Sequence, residues 1–227
     1  MPSLQKWLGD TMNVVFSKMV HPVSVTKSEY LNERLKRVRF EGDLSGTKFK
    51  SGNVVAFRVT PNDFRHYTPS YYNESKGICE IIFYLHGKGV GSQWAEELSP
   101  GYSSRFIGPG RRLSYSLQSS NHFIFGDETS LGLMSCMHAE AERNNHSFFA
   151  LMETGSTNRH WNSFFPSIPA VYITSSIEYP AKSGILFFEQ LDDWLVAMEH
   201  TAFYLTGRAK SILAVRKYLL SKGVSNK

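Results

Sequence analysis

His122-Phe123-Ile124-Phe125-Gly126-Asp127-Glu128-Thr129-Ser130 passes from a short apolar strand into a polar turn, and over 129–143 the apolar spacing becomes helical. The alternation continues downstream: 147–152 and 170–174 read as strands, 187–198 as an amphipathic helix, 201–206 as a strand and 208–221 as a helix. Strands alternating with helices imply a parallel α/β sheet. Upstream the rhythm differs. Candidate strands at 34–40, 54–59, 64–68, 78–86 and 103–107 are separated by turn signals such as Gly42-Asp43, Pro61-Asn62-Asp63 and Pro100-Gly101. Short strands broken in this way point to an antiparallel barrel or sandwich. The change of rhythm falls within 112–120, so the chain is expected to divide into an antiparallel barrel over 1–115 and a parallel-sheet α/β domain over 116–227.

A length of 227 residues allows one large domain or two compact ones. With 41% hydrophobic and 20% charged residues the composition is globular, which excludes disordered and collagen-like chains, and 14% aromatic residues supply material for cores and ring platforms. Cys79 and Cys136 sit far apart in apolar runs, so buried thiols are expected rather than a disulfide framework or a cysteine metal site. Histidines show no zinc-ligand spacing, and no metal is expected. The longest uncharged run, 160–177, contains Pro166 and Pro169, a composition wrong for a membrane span. Lys6, Asp10 and Lys18 interrupt the N-terminal apolar pieces, so no secretory signal is expected and the location is expected to be cytoplasmic.

The net charge of +5 is unevenly spread: residues 1–115 hold 16 Lys and Arg against 10 Asp and Glu, whereas 116–227 hold 9 against 10. A basic half favours anions, either a phosphate-bearing cofactor or an anionic small substrate. The run 34–40 alternates like a strand with no nucleic-acid motif beside it, so no nucleic-acid partner is expected.

Three segments could carry chemistry. In Arg65-His66-Tyr67-Thr68-Pro69, Arg65 and Tyr67 are two apart on a strand and so share a face. There a guanidinium can bind phosphate oxygens while the phenol stacks beside a flat heterocycle, with Thr68 offering a hydroxyl. Alone, the pair equally describes a surface arginine beside a core tyrosine. The second segment, His86-Gly87-Lys88-Gly89-Val90-Gly91-Ser92-Gln93-Trp94-Ala95, follows a long apolar strand. Its glycines permit close backbone approach, and Ser92 is expected to cap a short helix whose first amides suit a pyrophosphate. An ordinary glycine turn reads the same way. The third is the 126–130 turn, at the strand ends where ligands gather in α/β folds. It lacks a Gly-x-Gly-x-x-Gly fingerprint, and a simple capping segment would look similar. No nucleophile elbow occurs.

The order of these segments resembles the siderophore-interacting protein family, within the ferredoxin-reductase-like flavoproteins. The resemblance rests on Arg65-x-Tyr67-Thr68, Leu85-His86-Gly87, Trp94-Ala95, Gly108-Pro109 and Gly126-Asp127-Glu128-Thr129, and spans about 23–220. It implies a six-stranded FAD-binding barrel, an NAD(P)-binding-like α/β domain, and FAD held between them. Tyr67 would flank the isoalloxazine, Thr68 its edge, and Arg65 the pyrophosphate. His86, Gly91, Ser92 and Gln93 would hold the ribityl and phosphate portions, with Asp127 and Thr129 lining the same cleft.

The activity implied is reduction of a ferric siderophore by NAD(P)H or reduced ferredoxin, in a monomer. One added electron weakens a complex whose hard oxygen donors match ferric ion. Lys48, Lys50, Arg58 and Lys88 are candidate contacts to an anionic chelate, chosen by location. Glu153 is a candidate ribose acceptor and Arg159 a partner for a 2′-phosphate. Alternatives are a flavin-dependent NAD(P)H oxidoreductase with another acceptor, or a non-catalytic flavin or siderophore binder. Two departures stand out: Pro69-Ser70-Tyr71-Tyr72 follows the Tyr-Thr pair where relatives often carry arginine, and Gly108-Pro109-Gly110-Arg111-Arg112 is altered in order. The sequence ends at Lys227, where many relatives continue with a basic and aromatic tail on the nicotinamide side.

Overall fold

The computed structural model describes residues 19–111, 113–155, 161, 163–176, 178–190 and 200–225. Two compact units emerge, one ending at Ser114 and the other starting at Tyr115.

In the first unit, β1 (Val20–Asn32), β2 (Leu35–Glu41), β3 (Asn53–Arg58), β4 (Phe64–Tyr67), β5 (Tyr71–Asn73), β6 (Ile78–Tyr84) and β7 (Ser103–Arg111) form one sheet in the order β4-β3-β7-β1-β2-β6-β5. All its pairings are antiparallel. The barrel-type architecture holds, with seven strands rather than six, and among the described residues no pairing closes β4 onto β5. The unforeseen β1 is largely polar and buries only Val23 and Val25, as expected of a strand with one wet face. It bends through two register irregularities, pairing first with β7 and then with β2. Among the described residues one helix, α1 (Val90–Glu97), belongs to this unit, and its Trp94 and Ala95 join Phe40, Phe57, Phe83 and Phe106 in the core.

In the second unit, β8 (Asn121–Asp127), β9 (Ser147–Thr154), β10 (Ala170–Thr174) and β11 (Thr201–Leu205) form a parallel sheet in the order β10-β9-β8-β11. A 3-10 turn (Glu128–Ser130) leads into α2 (Leu131–Arg143); α3 (Lys182–Glu189) and α4 (Ala209–Ser221) complete the described helices. Helix α3 starts five residues before the expected 187–198, of which 191–198 lie outside the described residues, and its Gly184 packs closely: a Cβ there would lie 2.9 Å from the Phe125 ring. Phe123, Phe125, Leu151, Phe188 and Val215 form the core beneath α3 and α4. Strand order reverses between β8 and β11, which opens the carboxyl ends of those strands as a switch point.

Cys79 and Cys136 are both buried and unbridged. Among the described residues no helix is long and apolar enough to cross a membrane, and no group of three or more potential ligand side chains is placed to hold a metal ion.

At the opposite end of the parallel sheet, His122 is buried in a stack of rings. The Ser116 N–H donates to the Tyr204 hydroxyl, which in turn lies 3.2 Å from His122 Nδ1. His122 Nε2 lies 3.1 Å from the Ser119 carbonyl and 3.0 Å from His146 Nδ1, and that nitrogen also meets the Tyr115 hydroxyl at 2.8 Å. Burial, and next the neighbouring His146, hold the His122 pKa down to about 4. An unfolded imidazole takes up its proton near pH 6.5. Between the two values the unfolded chain binds more protons, so this contribution to stability is complete above pH 6.5 and is lost as pH falls towards 4. The thermal midpoint of the α/β unit should therefore drop by several degrees from pH 7.5 to pH 5. A histidine NMR titration should show one imidazole still neutral at pH 5.5; normal titration of all the described histidines would contradict this.

Candidate functional site

Among the described residues strand β4 is an edge strand, paired with β3 alone, with Val55 opposite Tyr67 and Phe57 opposite Arg65. Val55 and Phe57 are fully buried, and directly paired residues share a face, so Arg65 and Tyr67 both lie on the core side. Tyr67 meets Phe83 edge-on at 4.8 Å and lies nearly parallel to Trp94 at 6.2 Å between centroids. Burial pushes its hydroxyl pKa up to about 12, so it stays a neutral donor at physiological pH. Arg65, nearer the edge, is exposed at its head: Nη1 donates to the Phe64 carbonyl at 2.9 Å and stands 3.6 Å from Asp63 Oδ1. Thr68, just past the strand, is partly buried.

Strand β6 delivers the glycine loop. Gly87 and Gly89 adopt positive φ (73° and 81°), and the Lys88 N–H donates to Nδ1 of the exposed His86 at 3.1 Å. Helix α1 begins after Gly89, its N-cap, with no side-chain cap and no acid in the first turn. This corrects the expectation for Ser92, which lies inside the helix, buried. Its hydroxyl accepts from the Gly87 N–H at 3.2 Å, tying the loop back onto the helix. The first amides of a helix have no intrahelical acceptor and carry the positive end of its dipole. Gln93 is exposed, and its N–H starts the helical ladder to Gly89.

Gly91 joins the two segments. A Cβ on it would stand 2.9 Å from the Tyr67 hydroxyl and 3.2 Å from Arg65 Cγ, so the first turn of α1 rests directly on that pair. Arg65, Tyr67, Gly91, Ser92 and Trp94 thus converge within the antiparallel unit. The other basic candidates do not converge with them. Lys48 and Lys50 are exposed on the loop before β3, where the Lys48 N–H donates to Glu74 and the Lys50 N–H to Asn53. Lys88 is exposed on the glycine loop, and the Arg58 guanidinium is bonded to the Pro61 carbonyl of its own hairpin.

In the α/β unit, the carboxyl ends of β8, β9 and β11 bring together buried carboxylates that no sequence pattern connects. Asp127 Oδ1 accepts from both the N–H and the hydroxyl of Thr129, at 2.9 and 2.6 Å, within a capping box. Glu128 accepts from the Gly155 N–H at 2.7 Å and from Arg208 at 2.9 Å. Glu153 was expected to face a ribose; instead it is 1% exposed, one oxygen accepting from the Ala181 N–H at 3.0 Å and the other from the Ser211 hydroxyl at 2.5 Å. Arg208 also stands 3.9 Å from Asp127 and from Glu153. Glu128 and Arg208 escaped sequence reasoning because only the placement of β11 beside β8 unites them. Arg159 lies outside the described residues.

Residues 59–113 match the family model of the siderophore-interacting FAD-binding domain, which spans Arg65, Tyr67 and the glycine loop. No curated protein matches the chain significantly. Among solved structures, a ferredoxin reductase of carbazole 1,9a-dioxygenase superimposes with a TM-score of 0.76 at 16% identity, covering 91% of this chain and 67% of that one. The siderophore-interacting protein SipS from Aeromonas hydrophila gives 0.72 at 18% identity, covering 89% and 85%. A siderophore utilization protein from T. fusca gives 0.70 at 18% identity, covering 91% and 88%. At these identities the likeness establishes a shared ferredoxin-reductase-like fold.

The contact at Gly91 is testable without any ligand. Gly91→Val forces Tyr67 off Trp94 and Phe83, and overpacking of this kind costs about 1–3 kcal/mol. Urea unfolding should show that loss together with a changed near-UV signal; unchanged stability and spectrum would mean that α1 does not rest on Tyr67.

Proposed function

We propose that the chain is an FAD-dependent oxidoreductase that reduces ferric siderophores, releasing iron as Fe(II), with NAD(P)H or reduced ferredoxin as electron donor. The observation that carries this reading is the convergence of Arg65, Tyr67 and the uncapped start of α1 at Gly91, inside the segment that matches an FAD-binding family model. The residues fit the group. A guanidinium beside the open first amides of a helix suits a pyrophosphate, and the missing Cβ at 91 lets that helix start close directly onto Tyr67 and Arg65.

In this reading Arg65 and the amides from Val90 to Ser92 neutralise and orient the phosphates. Tyr67, held by Phe83 and Trp94 and kept protonated by burial, flanks the isoalloxazine and fixes its tilt. Thr68 hydrogen-bonds the ring edge, and His86 and Gln93, exposed on either side of the glycine loop, contact the ribityl chain. When bound, FAD accepts a hydride or single electrons and hands on one electron at a time, the chemistry a ferric acceptor requires. The protein therefore needs no nucleophile. Its tasks are to hold the cofactor, exclude water from one ring face and dock the chelate. One NAD(P)H carries two electrons and so suffices for two ferric ions.

The purified protein should bind FAD and show its visible absorbance. NADPH or reduced ferredoxin should bleach it anaerobically, and a ferric siderophore should restore the colour while a ferrous-specific chelator reports Fe(II). Charge-assisted bonds are worth about 1.5–3 kcal/mol, so Arg65→Ala should weaken FAD binding about 10–100-fold while leaving riboflavin binding nearly unchanged. A protein that takes up no FAD overturns the reading. Flavin that is reduced but yields no Fe(II) leaves a flavoprotein with a different acceptor.

A further inference from the structure

Strand β2 carries a cation where its spacing demands a hydrophobe. Lys36, Val38 and Phe40 share one face, opposite Phe83, Ile81 and Cys79 of β6, and all six are buried in the core side of the sheet. The Lys36 side chain fills an interior position, passes 5.0 Å from the Tyr30 ring, and ends on the last turn of α1. Its Nζ donates to the Ala95 carbonyl at 3.0 Å and the Glu96 carbonyl at 2.8 Å. The Ser28 hydroxyl of β1 donates to the carbonyl of Leu98, the C-cap of that helix, at 2.9 Å.

A methionine would fill the same space without the desolvation that lowers the pKa of Lys36. Packing therefore does not call for the charge. The ammonium adds a clamp: carbonyls left open at a helix end are satisfied from a neighbouring strand, and a cation there matches the negative end of the dipole. Helix α1 needs such a clamp. It has two turns, no side-chain cap at its start and two glycines at positive φ before it, and a helix so short is marginal alone.

We infer that Lys36 is a positioning residue for phosphate binding at the far end of α1. It fixes the helix about 8 Å from that end, at a rise of ~1.5 Å per residue, so that the Val90–Ser92 amides meet the phosphates beside Arg65. Lys36 touches no cofactor. The inference rests on the FAD reading above and names the residue that holds its phosphate seat in register.

Titrations with FAD, FMN and riboflavin test it, because riboflavin lacks the phosphate. In the unaltered protein FAD and FMN should bind more tightly than riboflavin. In Lys36→Met that advantage should shrink about 10-fold or more with riboflavin affinity preserved, and amide exchange across 90–97 should accelerate. Lys36→Arg should restore most of the advantage, and Ser28→Ala, a milder change at the same helix end, should reduce it partially. If Lys36→Met keeps the full FAD-to-riboflavin ratio, or weakens all three flavins equally, Lys36 is a packing residue and the inference falls. If the unaltered protein itself shows no preference for phosphate-bearing flavins, the phosphate seat fails first and takes Lys36 with it.

Discussion

The resting of α1 on Arg65 and Tyr67 at Gly91 is the contact that brings the candidate site of the antiparallel unit together. It sets a guanidinium, a phenol and a row of open amides in one place, although they come from two segments separated by the β5 and β6 strands. The aromatic cluster below makes that placement stiff. Phe57 contacts Tyr67, Trp94 and Phe106, and Phe83 braces both Tyr67 and Trp94 edge-on. Tyr67 therefore has a rigid floor while its edge strand leaves Arg65 at the rim. Ring and charge are separated by two residues of strand, which is the spacing that lets one end of a ligand be stacked and the other neutralised.

The α/β unit organises charge in the opposite manner. Asp127, Glu128 and Glu153 are buried and held by backbone amides, hydroxyls and Arg208, at the strand ends where a doubly wound sheet offers its ligand crevice. Gly207 adopts positive φ beside Asp127, and a Cβ on it would come within 2.6 Å of the carboxyl carbon. The loops after β8 and β11 are thus locked to one another by side-chain contacts. Such a node fixes the geometry of the switch point: it engages both carboxylate oxygens of the buried Glu153, while Thr129, whose hydroxyl donates to Asp127, remains exposed.

Much of this was legible in the sequence. The period-two and helical rhythms located every strand of the parallel sheet, and the spacing of Arg65 and Tyr67 correctly put both on one face. Strand β1 was not legible because it buries only two side chains along a polar run, so its identity comes from partners on both edges rather than from its own pattern. The Ser92 cap was misread because a serine before a helical run has two uses, and the glycines with positive φ moved the helix start three residues earlier. The Arg208 node was invisible for a different reason: its members are far apart in sequence and meet only through the strand order β8-β11. Lys36, by contrast, carried a readable sign. Counting by two from Val38 and Phe40 places it on the apolar face, where a lysine must find buried acceptors.

This changes the meaning of the basic excess in the first 115 residues. Lys36 is bonded to helix carbonyls, Arg39 to Glu80 and Arg58 to its own hairpin, while Lys27 and Arg37 are ion-paired with Glu29. These cations hold strands and turns together, and a surface pair of this sort contributes little to steering a distant anion. Any preference for a phosphate or an anionic chelate must then come from where a few cations sit rather than from how many there are. Arg65 differs in position, since its nearest carboxylate, Asp63, is itself half exposed and 3.6 Å away, while its stem is pinned by Gly91 beside the open end of a helix. A weakly held guanidinium next to unsatisfied amides can exchange its partner for a ligand phosphate at small cost, whereas Lys36, fully engaged in the core, cannot. In the proposed reading one cation binds the phosphates and the other keeps the binding surface in register.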